Sequence, residues 1–345
     1  CSPHFFFRKR KVHYIMQRRD LLIAGSLSGV AASASIRAAE TSSSQSAALK
    51  ELNGIPLRHA VDDPAAPTVF FSREITPESL LKLYETLGRP ARGKTGIKIT
   101  FESPNGPHLD PALLKLLCDK VQGTLIDCNG FTGPRDTTAG NLRVAEGHGF
   151  TGIAPIDILD ADGDMDLPVR NGYRLKFART GRHFAQYESL ISVVRFKAHH
   201  LPRYGGTMKN LSICLGSISG KAIIHSGGDV TTHYTSTSRE VTAEAMADAV
   251  KAAMDYRKDR WCFINVLDAF SPDDNCSHAR NLGNIGIFAS IDPVAVDQAA
   301  VDVTFGAAPD EETRRSWEEY HSTMLLPTAE KIGVGRTHYR LLSID

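Results

Sequence analysis

Paired cysteines, long apolar runs and an excess of one charge are all scarce in this sequence of 345 residues. The six cysteines include no Cys-x-x-Cys pair, so no disulfide framework, zinc ribbon or cubane iron-sulfur cluster is written locally. Cys1 apart, five remain, an odd number: Cys118, Cys128, Cys214, Cys262 and Cys276. Cys118 and Cys214 sit in apolar runs and are expected to be buried small hydrophobes. After residue 40 no stretch reaches the roughly 20 apolar residues that span a bilayer, and no such span is expected there. Lys and Arg total 40 against 39 Asp and Glu, a net charge of +1. Seven of the basic residues and one acidic residue fall within 1–39, which leaves 33 against 38, or −5, for the rest. A mildly acidic body gives no electrostatic case for a nucleic-acid or anionic-membrane partner. What is present is ordinary globular composition, 42% hydrophobic and 23% charged, with length for one large α/β domain or two modest ones.

Met16-Gln17-Arg18-Arg19 precedes the weakly apolar, Ala/Gly/Ser-rich run Leu21 to Ile36, with small residues at Ala32-Ser33-Ala34 and Ala38. That order matches an export signal, and the paired arginines match the twin-arginine route, which places the mature protein in the periplasm or outside the cell. The export machinery would then be a partner in transit. Residues 1–39 are thus expected to be an N-terminal extension plus signal, residues 40–67, rich in Ser, Ala and Pro, a linker, and residues 68–345 a single domain.

Within that domain strands and helices alternate. Val69–Phe71, Gly96–Phe101, Thr124–Cys128, Ser192–Phe196, Cys262–Val266 and Ile285–Ala289 have strand character. Thr76-Pro77, Asp110-Pro111 and Asp292-Pro293 each pair a capping residue with proline at the first helical position. Further helices are expected over Ala139–His148, Met208–Leu215 and Thr242–Tyr256, the last with a clear apolar period. The alternation predicts an α/β fold with a mainly parallel sheet and helices on both faces, with two sub-domains as one arrangement.

Four constellations could carry chemistry. Lys197-Ala198-His199-His200 follows a strand, at the edge where open α/β sheets bind ligands. Gly205-Gly206-Thr207-Met208-Lys209-Asn210 is a glycine pair opening a helix, whose free amides together with Lys209 and Asn210 would hold an anion; a tight turn is the plainer alternative. His225 and His233 supply imidazoles suited to a divalent transition metal, and structural histidines are the alternative. Asp274, Cys276 and His278 alternate in a polar loop, so an extended backbone would turn all three to one side, although Ser, Pro, Asp and Asn are also ordinary turn residues. Asp297, one turn into an apolar helix, needs a partner if buried.

Taken together, Gly93–Lys98, Lys197–His200, Gly205–Leu211, Gly220-Lys221 with His225, Ser271–Cys276 and Asp292–Asp297 resemble the bacterial and archaeal "domain of unknown function 362" family over roughly residues 68–343. Members of that family are often labelled iron-sulfur centre proteins. Many relatives carry a Cys-x-x-Cys-x-x-Cys insert after the segment equivalent to His225, whereas Thr231 to Ala243 holds no cysteine here. Relatives typically have Ser-Pro-Asp-Cys-Asp-Cys in the late loop, and this chain has Asp274 at the first Cys position and keeps Cys276. An iron-sulfur cluster is therefore not expected. In architecture the family is distantly similar to nickel-dependent lactate racemase-like proteins.

These readings converge on an exported protein with a polar cleft lined by Lys197, His199, Lys209, His225, Asp274 and Cys276. His199, His225, Asp274 and Cys276 would ligate a metal. Lys197, His199 and Asp274 would serve catalysis, and Gly205, Gly206, Lys209 and Asn210 would bind an anionic small molecule. The alternative is a non-catalytic periplasmic cofactor-binding or redox-partner protein.

Overall fold

The computed structural model describes residues 47–198, 204–230, 233, 235–269 and 283–345. Eight strands form the central sheet: β1 (Thr68–Ser72), β2 (Thr95–Lys98), β3 (Thr124–Asp127), β4 (Ile156–Ile158), β5 (Ser189–Arg195), β6 (Trp261–Leu267), β7 (Gly286–Ser290) and β8 (Arg340–Ser343). Their order across the sheet is β8-β1-β7-β6-β5-β2-β3-β4. Every neighbouring pair is parallel except those made by β7, which runs against both β6 and β1. The expected mainly parallel α/β fold is what the chain adopts.

Successive strand side chains alternate between two cores. In β6, Trp261 and Phe263 enter one core, and Cys262, Ile264 and Val266 enter the other. Helices α1 (Pro77–Thr86), α2 (Pro111–Val121) and α3 (Thr138–Gly147) cover the second face, with Leu80, Leu83, Leu114, Leu117 and Ala145 fully buried. The first face carries α4 (Thr207–Leu211), α5 (Ile218–His225), α6 (Arg239–Tyr256) and α7 (Pro293–Phe305). The three Pro-initiated helices start where the sequence places them: the side chains of Thr76, Asp110 and Asp292 each accept a backbone N–H of the first turn. Helices α8 (Glu311–Tyr320) and α9 (Leu325–Lys331) complete the described α-helices. Among the described residues no helix is long and apolar enough to cross a membrane.

The segment read as a linker differs from that reading over its described part. Glu51–Leu52 and Ile55–Pro56 pair as a small hairpin whose turn, Asn53-Gly54, has positive φ at both residues. An Asn-Gly turn of this kind matches the twist of its strands. Leu52, Leu57, Ala60 and Ala66 are buried, Leu49 bridges Leu341, and Ala60 bridges Tyr339. His59 binds Asp302 of α7 through both its backbone N (2.9 Å) and its Nδ1 (2.8 Å). Ser- and Pro-rich composition hid a stretch that packs through a few well-placed apolar side chains.

Candidate functional site

The chain leaves β2 for β3 and β4 on one side, then returns to lay β5 on the other side of β2. Such a reversal of strand order opens a crevice beyond the carboxyl ends of the two diverging strands. A cleft of about 630 Å³ occupies that place. Its walls come from the segments after β2 (Thr100, Glu102, Ser103), after β3 (Gly130 to Arg135), the end of β5 (Val194, Arg195, Lys197), α4 with its flanks (Gly205, Gly206, Lys209, Asn210, Cys214) and α5 (Lys221, His225).

Three of its cations are anchored by carboxylates. Lys197 Nζ lies 2.7 Å from Glu102, Arg135 Nη1 lies 2.9 Å from Asp127, and Arg195 Nε lies 2.7 Å from Asp268. Glu102 holds a left-handed backbone, φ 62, which is uncommon for a residue with a β-carbon. Lys221, 7% exposed, donates to the carbonyl of Gly216. Five cationic side chains (Arg135, Arg195, Lys197, Lys209 and Lys221) thus belong to this cleft, three of them paired with the carboxylates Asp127, Asp268 and Glu102. Burial pushes the Asp268 carboxyl above its ordinary value, opposed by Arg195.

Below the cleft lies a buried polar frame. Lys98, fully buried, donates to Asp127 (3.0 Å), to Asn210 Oδ1 (2.8 Å) and to the carbonyl of Ile99 (2.8 Å). Asn210 Nδ2 donates in turn to Lys98 O and Ser192 Oγ. The ammonium has three acceptors and Asp127 also binds Arg135, so the buried charges are compensated. Asn210 therefore lines the cleft with both ends of its amide engaged.

The glycine pair behaves differently from the expectation of free amides. Thr207 N and Met208 N both donate to the Asp297 carboxylate at 2.8 Å, and Asn265 Nδ2 (2.7 Å) and Tyr204 OH (3.1 Å) complete its shell. The anion at the start of α4 is the chain's own side chain. Gly206 permits this approach, since a Cβ there would lie 2.7 Å from both carboxylate oxygens. Burial pushes the Asp297 carboxyl up to about 6, against the pull of its four donors.

Of the residues singled out in sequence, Lys197, Gly205, Gly206, Lys209, Asn210 and His225 line this one cleft. His199, Asp274 and Cys276 lie outside the described residues, as does His278. His225, 8% exposed, and Lys221 are one turn apart on α5 and so share a face. Cys214 is half-buried on the cleft wall rather than within the core, whereas Cys118, Cys128 and Cys262 are buried, and burial pushes each of those three thiols up to about 12. Among the described residues no group of three or more His, Cys, Asp or Glu is placed to hold a metal ion. Sequence reasoning missed Glu102, Arg135 and Arg195, and it quoted Lys221 in a motif without placing it in the site. The rule that flagged Lys197, a position just past a strand, applies equally to the segments after β2 and β3.

Fold and site together define a doubly wound α/β protein with a cationic cleft at the switch in strand order. The chain belongs to the family described as Domain of unknown function (DUF362), whose model matches residues 96–302, more than half of the chain. That match takes in β2 through most of α7 and every lining residue of the cleft. No curated protein matches. Among solved structures the chain is similar to the lactate racemase apoprotein from Thermoanaerobacterium thermosaccharolyticum, at 12% identity and TM-score 0.38, over 59% of this chain and 51% of that one. It is also similar to a protein from Thermotoga maritima, at 8% identity and TM-score 0.39, over 75% and 59%. The chain spans between about half and three fifths of the length of those two proteins. At such scores neither likeness carries a functional argument.

Proposed function

We propose that the switch-point cleft binds an anionic small molecule, a carboxylic or phosphorylated acid, and acts on it. The observation that carries this reading is the convergence of five cationic side chains on one concave site with three carboxylates to balance them, which leaves a net positive charge between its walls. Lys197 and Lys209 neutralise the ligand's charge in this reading, and His225 serves as acid–base group or as ligand to a divalent transition metal with His199, Asp274 and Cys276. The Arg18-Arg19 segment supports export by the twin-arginine route, with the periplasm as the working compartment. A binding-only role is the second reading, favoured by the ion pair that already engages Lys197.

Calorimetric titration of malate, lactate and 3-phosphoglycerate into wild type and Lys209→Gln tests the site. Binding of one of these acids that weakens tenfold or more in the variant is expected. Equal affinity in both proteins would remove the cleft from consideration. Elemental analysis of wild type beside a His199→Ala, His225→Ala double variant tests the metal: stoichiometric metal in the first alone supports it, and none in either leaves anion binding as the reading.

A further inference from the structure

At the opposite edge of the sheet, beneath the amino ends of β5 and β6, lies a second concavity of about 410 Å³. Arg89, Arg92, Lys258 and Arg260 surround it, with Asp259 as the acidic lining residue. Its frame is fixed from both sides. Arg89 Nη1 donates to the Trp261 carbonyl at 2.9 Å, Arg92 N donates to Ser189 Oγ at 2.8 Å, and Ser189 Oγ returns a bond to Arg92 O at 2.7 Å. Ala91 N donates to Tyr84 OH at 2.8 Å, which holds the intervening loop against α1.

Most of the charges gathered here have no carboxylate partner of their own. In the switch-point cleft, Arg135, Arg195 and Lys197 each have a carboxylate partner. On the far side of α7, Arg58, Arg314 and Arg315 share Glu311, and elsewhere Arg174 pairs with Glu244 and Arg179 with Asp166. Arg92, Lys258 and Arg260 have no carboxylate within 4.0 Å among the described residues, and Arg89 reaches Asp259 only at 4.0 Å, with Asp259 77% exposed. Like charges gathered around a concave surface repel one another, and an anion seated between them relieves that repulsion.

We propose that this amino-edge pocket is a binding site for a phosphate-bearing small molecule, separate from the switch-point cleft. Three guanidinium groups favour phosphate, whose oxygens accept paired N–H donors from several directions. Four cations and one carboxylate leave three positive charges, and a diphosphate group carries about three negative charges near neutral pH. The match in charge and the volume point to a diphosphate ester or to inorganic pyrophosphate.

The probe is inorganic pyrophosphate, titrated calorimetrically into the full chain at constant ionic strength, with sulfate as a control for charge alone. Three proteins are compared: wild type, Arg92→Gln with Arg260→Gln, and Lys197→Gln with Lys209→Gln. Pyrophosphate binding that persists in the cleft variant and weakens at least tenfold in the amino-edge variant is expected, with sulfate binding much weaker. Undiminished binding in the amino-edge variant, or no pyrophosphate binding by wild type, overturns the proposal. Loss confined to the cleft variant overturns it too, while leaving the anionic reading of the cleft intact. Should the double variant fail to fold, the exposed Lys258→Gln substitution gives the same comparison with an expected weakening of about threefold or more.

Discussion

Asp297 shows how one side chain can stand in for an external ligand. Its four donors come from α4, from Tyr204 and from β6, so the carboxylate ties three segments at the back of the cleft. With burial pushing it to about 6 from an ordinary 3.8, the native chain keeps this proton at pH values where the unfolded chain has released it. The stability that this group adds is therefore full below pH about 4 and is lost as pH rises towards 6. Asp292, also pushed up to about 6 by burial, acts with the same sign. Replacing Asp297 by Asn should lower stability by about 1–3 kcal/mol, because one acceptor is lost among buried donors. It should also flatten the fall in urea midpoint between pH 4 and pH 6. Parallel pH profiles for the two proteins would mean that the native carboxylate is ionised throughout.

At the level of the element, α5 is what presents Lys221 and His225 to the cleft. It starts at Ser217, whose side chain accepts from Gly220 N, and it lies against the strand Phe177–Gly181. A Cβ at Gly220 would fall 1.9 Å from the Arg179 carbonyl, so this contact admits glycine alone. Gly220→Ala is expected to push α5 outward, lowering stability by about 1–3 kcal/mol and weakening acid binding in the cleft. Thermal denaturation and the same calorimetric titration measure the two effects. Helices such as α1, α2 and α7 were legible in the sequence because a capping side chain and proline mark where each begins. Helix α5 has a capping serine but no proline after it, its first turn contains a further serine and a glycine, and its eight residues are too few for a clear period. Strand β4 and the hairpin of Asp164–Pro168 with Phe177–Gly181 were hidden for a related reason. They lie in or beside an Asp- and Gly-rich stretch whose composition signals turns. The cleft was half legible: the residues after β5 stood out as a cluster, while Glu102 and Arg135 acquire meaning only once β2 is known to lie between β5 and β3.

Across the whole molecule, the stretch from Ala47 to Ala66 is part of the body. It inserts Leu52 and Leu57 into the larger core and engages Asp302, which also accepts from Tyr339 OH and Gln298 Nε2. Deleting residues 47–66 should destabilise the domain by on the order of 5 kcal/mol, as two buried leucines and a satisfied carboxylate are lost. Chemical denaturation of the shortened chain measures it, and an unchanged midpoint would return this stretch to the role of linker. The sheet itself carries a consequence for biosynthesis. Strand β1 is the first of the eight to leave the ribosome, yet its neighbours on both sides are β7 and β8, near the end of the chain. Val69, Phe70 and Phe71 therefore pass through translation without a partner strand, and this side of the sheet closes after the rest has been made.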